Sequence, residues 1–245
     1  MTRPSIKGVV VFSRYNSTRL PGKALLDVGG KPLLGRILER LRHVQSADKL
    51  IVATSDQGSD DALAEFVKAE PNVDLYRGPL NDVSGRALGC MRAFGLDVMV
   101  RICGDSPFEI PAMIDDMLLR QAASGADLVT NVQDRTFPSG LSIEVIAREA
   151  YERAYALMTD PMDLEHVTRY FYQNPPDFFS ENVVSQADRD LTRLNLCVDT
   201  AQDRDRAAWI MAELGNGFEH AGLAELIRVA EAWYVAHPED TVKAT

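Results

Sequence analysis

Cysteine is scarce and unpaired in pattern. The three cysteines, Cys90, Cys103 and Cys197, are an odd count and form no CxxC pair. Neither a disulfide framework nor a zinc ribbon is therefore indicated. Cys103 and Cys197 lie in apolar runs and read as small core residues, not nucleophiles. Positive charge is also short: 26 Lys and Arg stand against 36 Asp and Glu, a formal net charge of −10. That excludes a chain-wide basic field for wrapping nucleic acid, so any polyanion must be met by a local cluster of cations. No stretch approaches the roughly 18 apolar residues of a membrane span. The opening MTRPSIKGVVVFSRYN has an apolar run too short for a secretory signal and reaches Arg14 at once, so the expected compartment is the cytoplasm. HExxH and GxGxxG are both missing, which removes the usual zinc-protease and dinucleotide fingerprints. No Ser–His–Asp or Cys–His constellation stands out.

What is present is an ordinary globular balance, 46% hydrophobic and 25% charged over 245 residues. It suits one large α/β domain, residues 1–245. Apolar runs alternate with helical patterns. Strands are predicted at Ile6–Phe12, Leu50–Ala53, Val73–Tyr76, Asp97–Ile102 and Asp127–Asn131, separated by helices over Pro32–Val44, Ser59–Lys68, Val83–Phe94 and Ala112–Ser124. Such alternation implies a mostly parallel sheet with helices on both faces and ligands at the strands' C-terminal edge. Beyond Asn131 the texture changes. A strand is expected over Leu141–Ile146 and helices over Arg148–Met158 and Asp163–Tyr172. A short strand is expected near Phe179–Val184, a buried strand at Leu194–Val198, and helices over Thr200–Leu214 and Leu223–Ala236. Residues from about 135 to 190 read as a subdomain inserted before the last core strand. Its aromatics, Tyr170, Phe171, Tyr172, Phe178 and Phe179, suit a subdomain core or an interface better than a base-stacking platform, because no basic groove accompanies them.

The loop after the first strand, Ser13 to Lys23, concentrates Arg14, Arg19 and Lys23 at a strand's C-terminal end. Arg offers a planar fork to phosphate oxygens and Lys a mobile point charge. Small residues such as Ser17 and Gly22 let backbone N–H groups approach an anion. A Walker P-loop is rejected: Ala24 follows Gly22-Lys23, Ser17 stands where its first glycine belongs, and Pro32 delays the helix. Arg101–Pro107 closes the fourth strand and leaves Asp105 at the ligand edge, and Val198-Asp199-Thr200 ends a later apolar run in the same style. A hard cation such as Mg²⁺ takes one or two carboxylates together with phosphate oxygens. The plainer alternative for each aspartate is a helix cap or turn. His166 suits a structural role better than a general base, and Glu144 either hydrogen-bonds a sugar hydroxyl or occupies an exposed strand position.

The string SRYNSTRLPGKAL resembles the opening signature of the CMP–sugar-acid synthetase superfamily, which includes the acylneuraminate and 3-deoxy-manno-octulosonate cytidylyltransferases. It is most similar to the spore-coat-polysaccharide (SpsF-like) branch, usually written ARxxSTRLPGKxL, with Ser13 a departure at the first position. The resemblance continues through ATSD (Ala53–Asp56), RGPLNDVSGR (Arg77–Arg86), RICGDSP (Arg101–Pro107), FPSGLSIEV (Phe137–Val145), EHVT (Glu165–Thr168) and VDTAQD (Val198–Asp203). It implies a Rossmann-like (GT-A-like) fold, dimerised through the inserted arm. It also implies Mg²⁺-dependent transfer of CMP from CTP to a small acidic sugar-like acceptor, with pyrophosphate leaving. By the same resemblance Arg14, Asn16, Ser17, Arg19, Lys23 and Arg86 bind nucleotide, with Arg14, Lys23 and Asp105 catalytic. Asp105 and Asp199 hold metal, and Glu144 and His166 face the acceptor. A different NTP or a phosphonate acceptor is the alternative within enzymes. A non-catalytic nucleotide- or sugar-binding module is the alternative outside them, and the presence of Arg19, Lys23 and Asp105 speaks against it.

Overall fold

Alternating valines open the sheet. In β1 (Lys7–Phe12) Val9 and Val11 enter one apolar core while Val10 enters the other, the period-2 signature of a strand covered on both faces. The structure is a computed structural model describing residues 4–16 and 19–240. β1 is flanked by two parallel neighbours, β2 (Lys49–Ser55) and β4 (Val98–Cys103), and β3 (Asp74–Gly78) lies parallel outside β2. β6 (Glu144–Ala147) runs antiparallel between β4 and β5 (Leu128–Thr130), and β7 (Ser180–Asn182) closes the edge parallel to β5. The seven-stranded order is β3-β2-β1-β4-β6-β5-β7. This is the mostly parallel α/β sheet expected from the alternation.

One face is covered by α1 (Leu33–Leu41), α2 (Asp61–Ala69), α4 (Pro111–Ser124), α8 (Ala201–Leu214) and α9 (Leu223–Ala236). The other is covered by α3 (Val83–Ala93), α5 (Arg148–Leu157) and α7 (Arg169–Gln173). α1 shows why the pattern works: Leu33, Leu34, Ile37, Leu38 and Leu41 are all buried, and each is worth roughly 1.5–3 kcal/mol relative to exposure. α8 starts where Thr200 suggests. Its hydroxyl accepts from the Asp203 N–H while Asp203 reaches back to the Thr200 N–H, a capping box.

Three expectations are corrected. Leu194–Val198 forms no strand: it makes one isolated bridge, Ser139 with Asn195. Leu194, Leu196 and Val198 are nonetheless buried, so their alternation reports burial rather than ladder pairing. The helix expected over Asp163–Tyr172 breaks in two, α6 (Pro161–Glu165) and α7, because His166 turns extended at φ −111°, ψ 93°. The strand expected from Leu141 starts only at Glu144, and burial of Glu144 removes the exposed strand position, one of its two readings. The physical reason is that β6 is an interior strand with a neighbour on each side. The segment 135–190 contributes β6 and β7 to the common sheet. Of its aromatics, Phe171 and Phe178 are buried with ring centroids 4.5 Å apart, and Phe179 is exposed. No described helix is long and apolar enough to cross a membrane.

Candidate functional site

β1 sends the chain to β2 on one side, while β4 joins it on the other. The sheet's topological switch point therefore lies between β1 and β4, where open α/β sheets bind ligands. In register, Phe12 faces Cys103, so the loops leaving these strands start side by side. They approach closely at Gly104, whose N–H donates to Phe12 O at 2.9 Å. A Cβ on Gly104 would sit 2.6 Å from Ser13 Cβ and 2.7 Å from Phe12 O. Only glycine permits this contact, which aims the next residue, Asp105, over the end of β1.

The first loop is held from below. The Tyr15 N–H donates to Asp60 Oδ1 at 2.9 Å, while Asp60 Oδ2 accepts from the Thr54 hydroxyl, the Ser55 N–H and the Ser55 hydroxyl. Burial works against the Asp60 carboxylate, but Ser55, Tyr15 and Thr54 together hold it below the usual aspartate range. The loop then folds back, with Gly22 N–H on Tyr15 O at 3.0 Å, and enters a one-turn 3₁₀ helix at Lys23–Leu25 anchored by buried Ala24.

Asp199 arrives from the far end of the chain. Leu196 N–H donates to Ser139 O at 2.7 Å and Val198 N–H to Asp105 O at 2.9 Å. The first contact needs Gly140 at φ 91°, where a Cβ would lie 2.6 Å from the Leu196 carbonyl carbon. Asp203, the N3 member of the α8 capping box, also accepts from the Asp199 N–H at 3.1 Å. The Asp199 carboxylate thus sits at the positive end of a helix.

These pieces meet at Lys23. Its Nζ donates to Asp105 Oδ2 at 3.1 Å, Asp199 Oδ1 at 2.9 Å and Val198 O at 3.3 Å. Burial lowers the affinity of the Lys23 amine for its proton, yet the two aspartates outweigh it and raise its pKa above 10.5. Arg19 pairs with Asp199 Oδ2 at 3.0 Å, and Arg14 with Glu165 at 3.1 Å. Arg14, Asn16, Arg19, Lys23, Asp105 and Asp199 line one cleft of about 300 Å³.

The remaining sequence-predicted residues fall elsewhere. Ser17 lies outside the described residues. Arg86 is fully buried and holds the carbonyl oxygens of Pro79 and Leu80; burial, then the neighbouring Arg14 charge, lowers its pKa. Glu144 pairs with Arg101 directly across the β4–β6 register at 2.6 Å and accepts from the Tyr172 hydroxyl. Burying that charge is tolerable because both partners are present. His166 is exposed and outside the cleft lining, but its neighbour Glu165 reaches the cleft through Arg14.

Sequence reasoning missed Asp60, Glu165 and Arg101, the last of which lines the cleft. Asp60 falls near the start of the helix predicted over Ser59–Lys68, and its hydroxyl neighbours Thr54 and Ser55 were the available signal. Cys103 also lines the cleft, and burial pushes its thiol up to about 11, which keeps it protonated. Glu109 is fully buried behind the Asp105 loop, and burial pushes its carboxyl well above the ordinary range. Asp105 and Asp199 converge on one ammonium at an accessible cleft. Such a pair of hard oxygen donors fits a Mg²⁺- or Mn²⁺-like cation that completes its shell with phosphate and water.

Comparison with known proteins identifies the family. The spore coat polysaccharide biosynthesis protein SpsF of Bacillus subtilis is 29% identical over 219 residues, covering 84% of this chain and 87% of that one. The 3-deoxy-manno-octulosonate cytidylyltransferase of Aeromonas salmonicida is 31% identical over 166 residues, 63% of each chain. Among solved structures, a cytidylyltransferase from Leptospira borgpetersenii superposes with a TM-score of 0.89 at 26% identity, covering 99% of both chains. The family model described as cytidylyltransferase matches residues 9–221, a span that includes every residue of the cleft, and the chain belongs to that family.

Proposed function

We propose that this enzyme transfers CMP from CTP to a hydroxyl of a small acidic sugar-like acceptor. The acceptor hydroxyl oxygen attacks the α-phosphorus and gives up its proton to solvent, the bond from that phosphorus to the bridging oxygen breaks, and pyrophosphate leaves. The observation that carries this reading is Lys23 seated between Asp105 and Asp199 in a cleft that also holds Arg14 and Arg19. Phosphoryl-type transfer needs alignment and charge neutralisation more than covalent catalysis, and the cleft supplies both kinds of group. Arg14, Arg19 and Lys23 bind the triphosphate and steady the charge on departing pyrophosphate. Asn16 and the loop backbone help position the nucleotide. Arg86 supports the nucleotide side from beneath, by fixing the Pro79–Leu80 turn. Glu144 and His166 belong to the acceptor side, Glu144 through its hold on Arg101. Asp105 and Asp199 are the proposed Mg²⁺ ligands, and the bound cation supplies neutralisation of negative charge at the α-phosphoryl group.

CTP as donor places the reaction in the cytoplasm, where nucleoside triphosphates are held. The product class, a CMP-activated sugar acid, suits assembly of surface polysaccharide. A homodimer contacting through residues 135–190 is part of the proposal; Phe179 and Val184 are exposed apolar residues there, and two-fold association is the commonest oligomeric form. Light scattering on the intact chain and on a Phe179→Asp/Val184→Asp variant tests it, a monomer in both or a dimer in both being the adverse result. The reaction is tested by crossing four NTPs with a panel of 2-keto-3-deoxy sugar acids and phosphonates, scored by pyrophosphate release. CTP with a sugar acid is the expected pair; better turnover with another NTP, or with a phosphonate, overturns the reading.

A further inference from the structure

Away from the cleft, two imidazoles and a carboxylate gather on the surface. Ligand atoms of His43, Glu219 and His220 all lie within 4.8 Å of one another. His43 Nε2 is 3.3 Å from Glu219 Oε2, and the two imidazole rings have centroids 4.3 Å apart at 59°. We propose that these three residues form a binding site for a borderline transition-metal dication, with Zn²⁺ as the representative ion.

The donor chemistry selects the ion. Two neutral imidazole nitrogens and one carboxylate suit zinc and its neighbours, whereas Mg²⁺ takes oxygen donors. Zinc–nitrogen bonds of about 2.0–2.1 Å place tetrahedral ligand atoms roughly 3.4 Å apart. The observed spacing closes to that value by side-chain rotation, which the solvent-reachable His43, Glu219 and His220 can make. Water fills the fourth position.

The backbone that carries the ligands is already rigid. Arg40, fully buried near the end of α1, donates to the carbonyls of Phe218 and Ala221, which bracket Glu219 and His220, and to Glu109 O at 2.8 Å. Its guanidinium also lies over the buried Phe218 ring, 5.4 Å from the centroid. His43 follows on the same helix end, its N–H on Arg40 O at 3.0 Å. One arginine therefore positions both halves of the site, and a preorganised set loses less entropy on binding. A bound ion ties the end of α1 to the 3₁₀ turn Gly215–His220, which joins α8 to α9. α1 runs back from the cleft edge toward the start of β2, and none of the three residues lines the cleft. The site is thus a structural clamp, independent of the transfer reaction.

The test is calorimetric titration of Zn²⁺ into the metal-stripped full chain with excess Mg²⁺ present. One Zn²⁺ equivalent is expected, weakened roughly tenfold or more in His43→Ala and in the size-conserving His220→Gln, and retained in Asp105→Asn. At a hundredfold excess over its Kd, Zn²⁺ should raise the thermal midpoint by roughly 5 °C or more. Circular dichroism checks that both histidine variants fold. Absence of Zn²⁺ binding, binding untouched by both histidine substitutions, or binding lost in Asp105→Asn each overturns the proposal. Binding is read without turnover, so failure of the transfer reaction leaves this result unaffected.

Discussion

The Nζ of Lys23 stands 2.9 Å from Oδ1 of Asp199, a partner 176 positions away in the chain. The same ammonium reaches Asp105 at 3.1 Å, so it neutralises two carboxylates that would otherwise repel each other and any phosphate between them.

Lys23→Met removes that charge while keeping an unbranched side chain. Turnover should fall by roughly 10²-fold or more, the scale for losing one preorganised contact to developing charge. Lys23→Arg should not rescue it, because a planar fork cannot replace a compact ammonium between two aspartates. Steady-state pyrophosphate release on both variants measures this; near-normal turnover in Lys23→Met contradicts it.

Asp105→Asn keeps size and removes charge. A drop of roughly 10²-fold in turnover is expected, with little change in thermal midpoint. Asp199→Asn should act in the same direction but more weakly. EDTA should abolish activity and Mg²⁺ restore it. Full activity in Asp105→Asn, or indifference to EDTA, would remove the metal-site reading.

Asp60 holds the first loop, which we propose binds the triphosphate, through the Tyr15 N–H. Its folded pKa is depressed below 3.8. The stability it contributes is therefore present above about 3.8 and is lost as pH falls through the depressed folded value. Relative to its intrinsic rate at each pH, hydrogen exchange at the Tyr15 amide should accelerate in that acid window. In Asp60→Asn the acceleration should already be present at pH 7, with KM for the nucleotide raised more than kcat is lowered. An unchanged Tyr15 exchange rate in Asp60→Asn counts against the role.

Glu109 behaves in the opposite sense. Its folded pKa lies well above 4.5 because burial disfavours the charged form. Stability tied to its proton is fully present below the unfolded value near 4.5 and is lost as pH rises toward the folded one, at about 1.4 kcal/mol per pH unit. Glu109→Gln carries no such penalty. Its thermal midpoint relative to the wild type should improve as pH rises above about 5; a difference that stays flat with pH rejects this assignment.

Much of this arrangement was legible along the chain. The valines of β1 and the leucines of α1 announce their period because each residue's burial is set locally by the pleat or the helical turn. Arg14, Arg19 and Lys23 were legible as a cluster of cations because they crowd one strand end. Asp105 and Asp199 were legible because each follows an apolar run. Leu194–Val198 misled because alternation records which side chains are buried, whereas a strand also needs a neighbour edge, and here there is one bridge. Glu144 stayed open between two readings because a charged residue in a strand is ordinarily exposed. Its burial depends on Arg101, 43 positions away, standing opposite it in the register.

The sequence by itself determined the β/α alternation, the cations of the first loop and the carboxylates that end apolar runs, since these depend on neighbours a few positions apart. Only the tertiary structure decided that Lys23 bridges Asp105 and Asp199, that Arg86 is withdrawn beneath the cleft to hold the Pro79 carbonyl, and that Asp60 supports the loop at Tyr15. Charge pairing and hydrogen bonding act over about 3 Å of space, and which groups come that close is set by the β1–β4 register and by the fit of Gly104 and Gly140 against backbone contributed by distant segments.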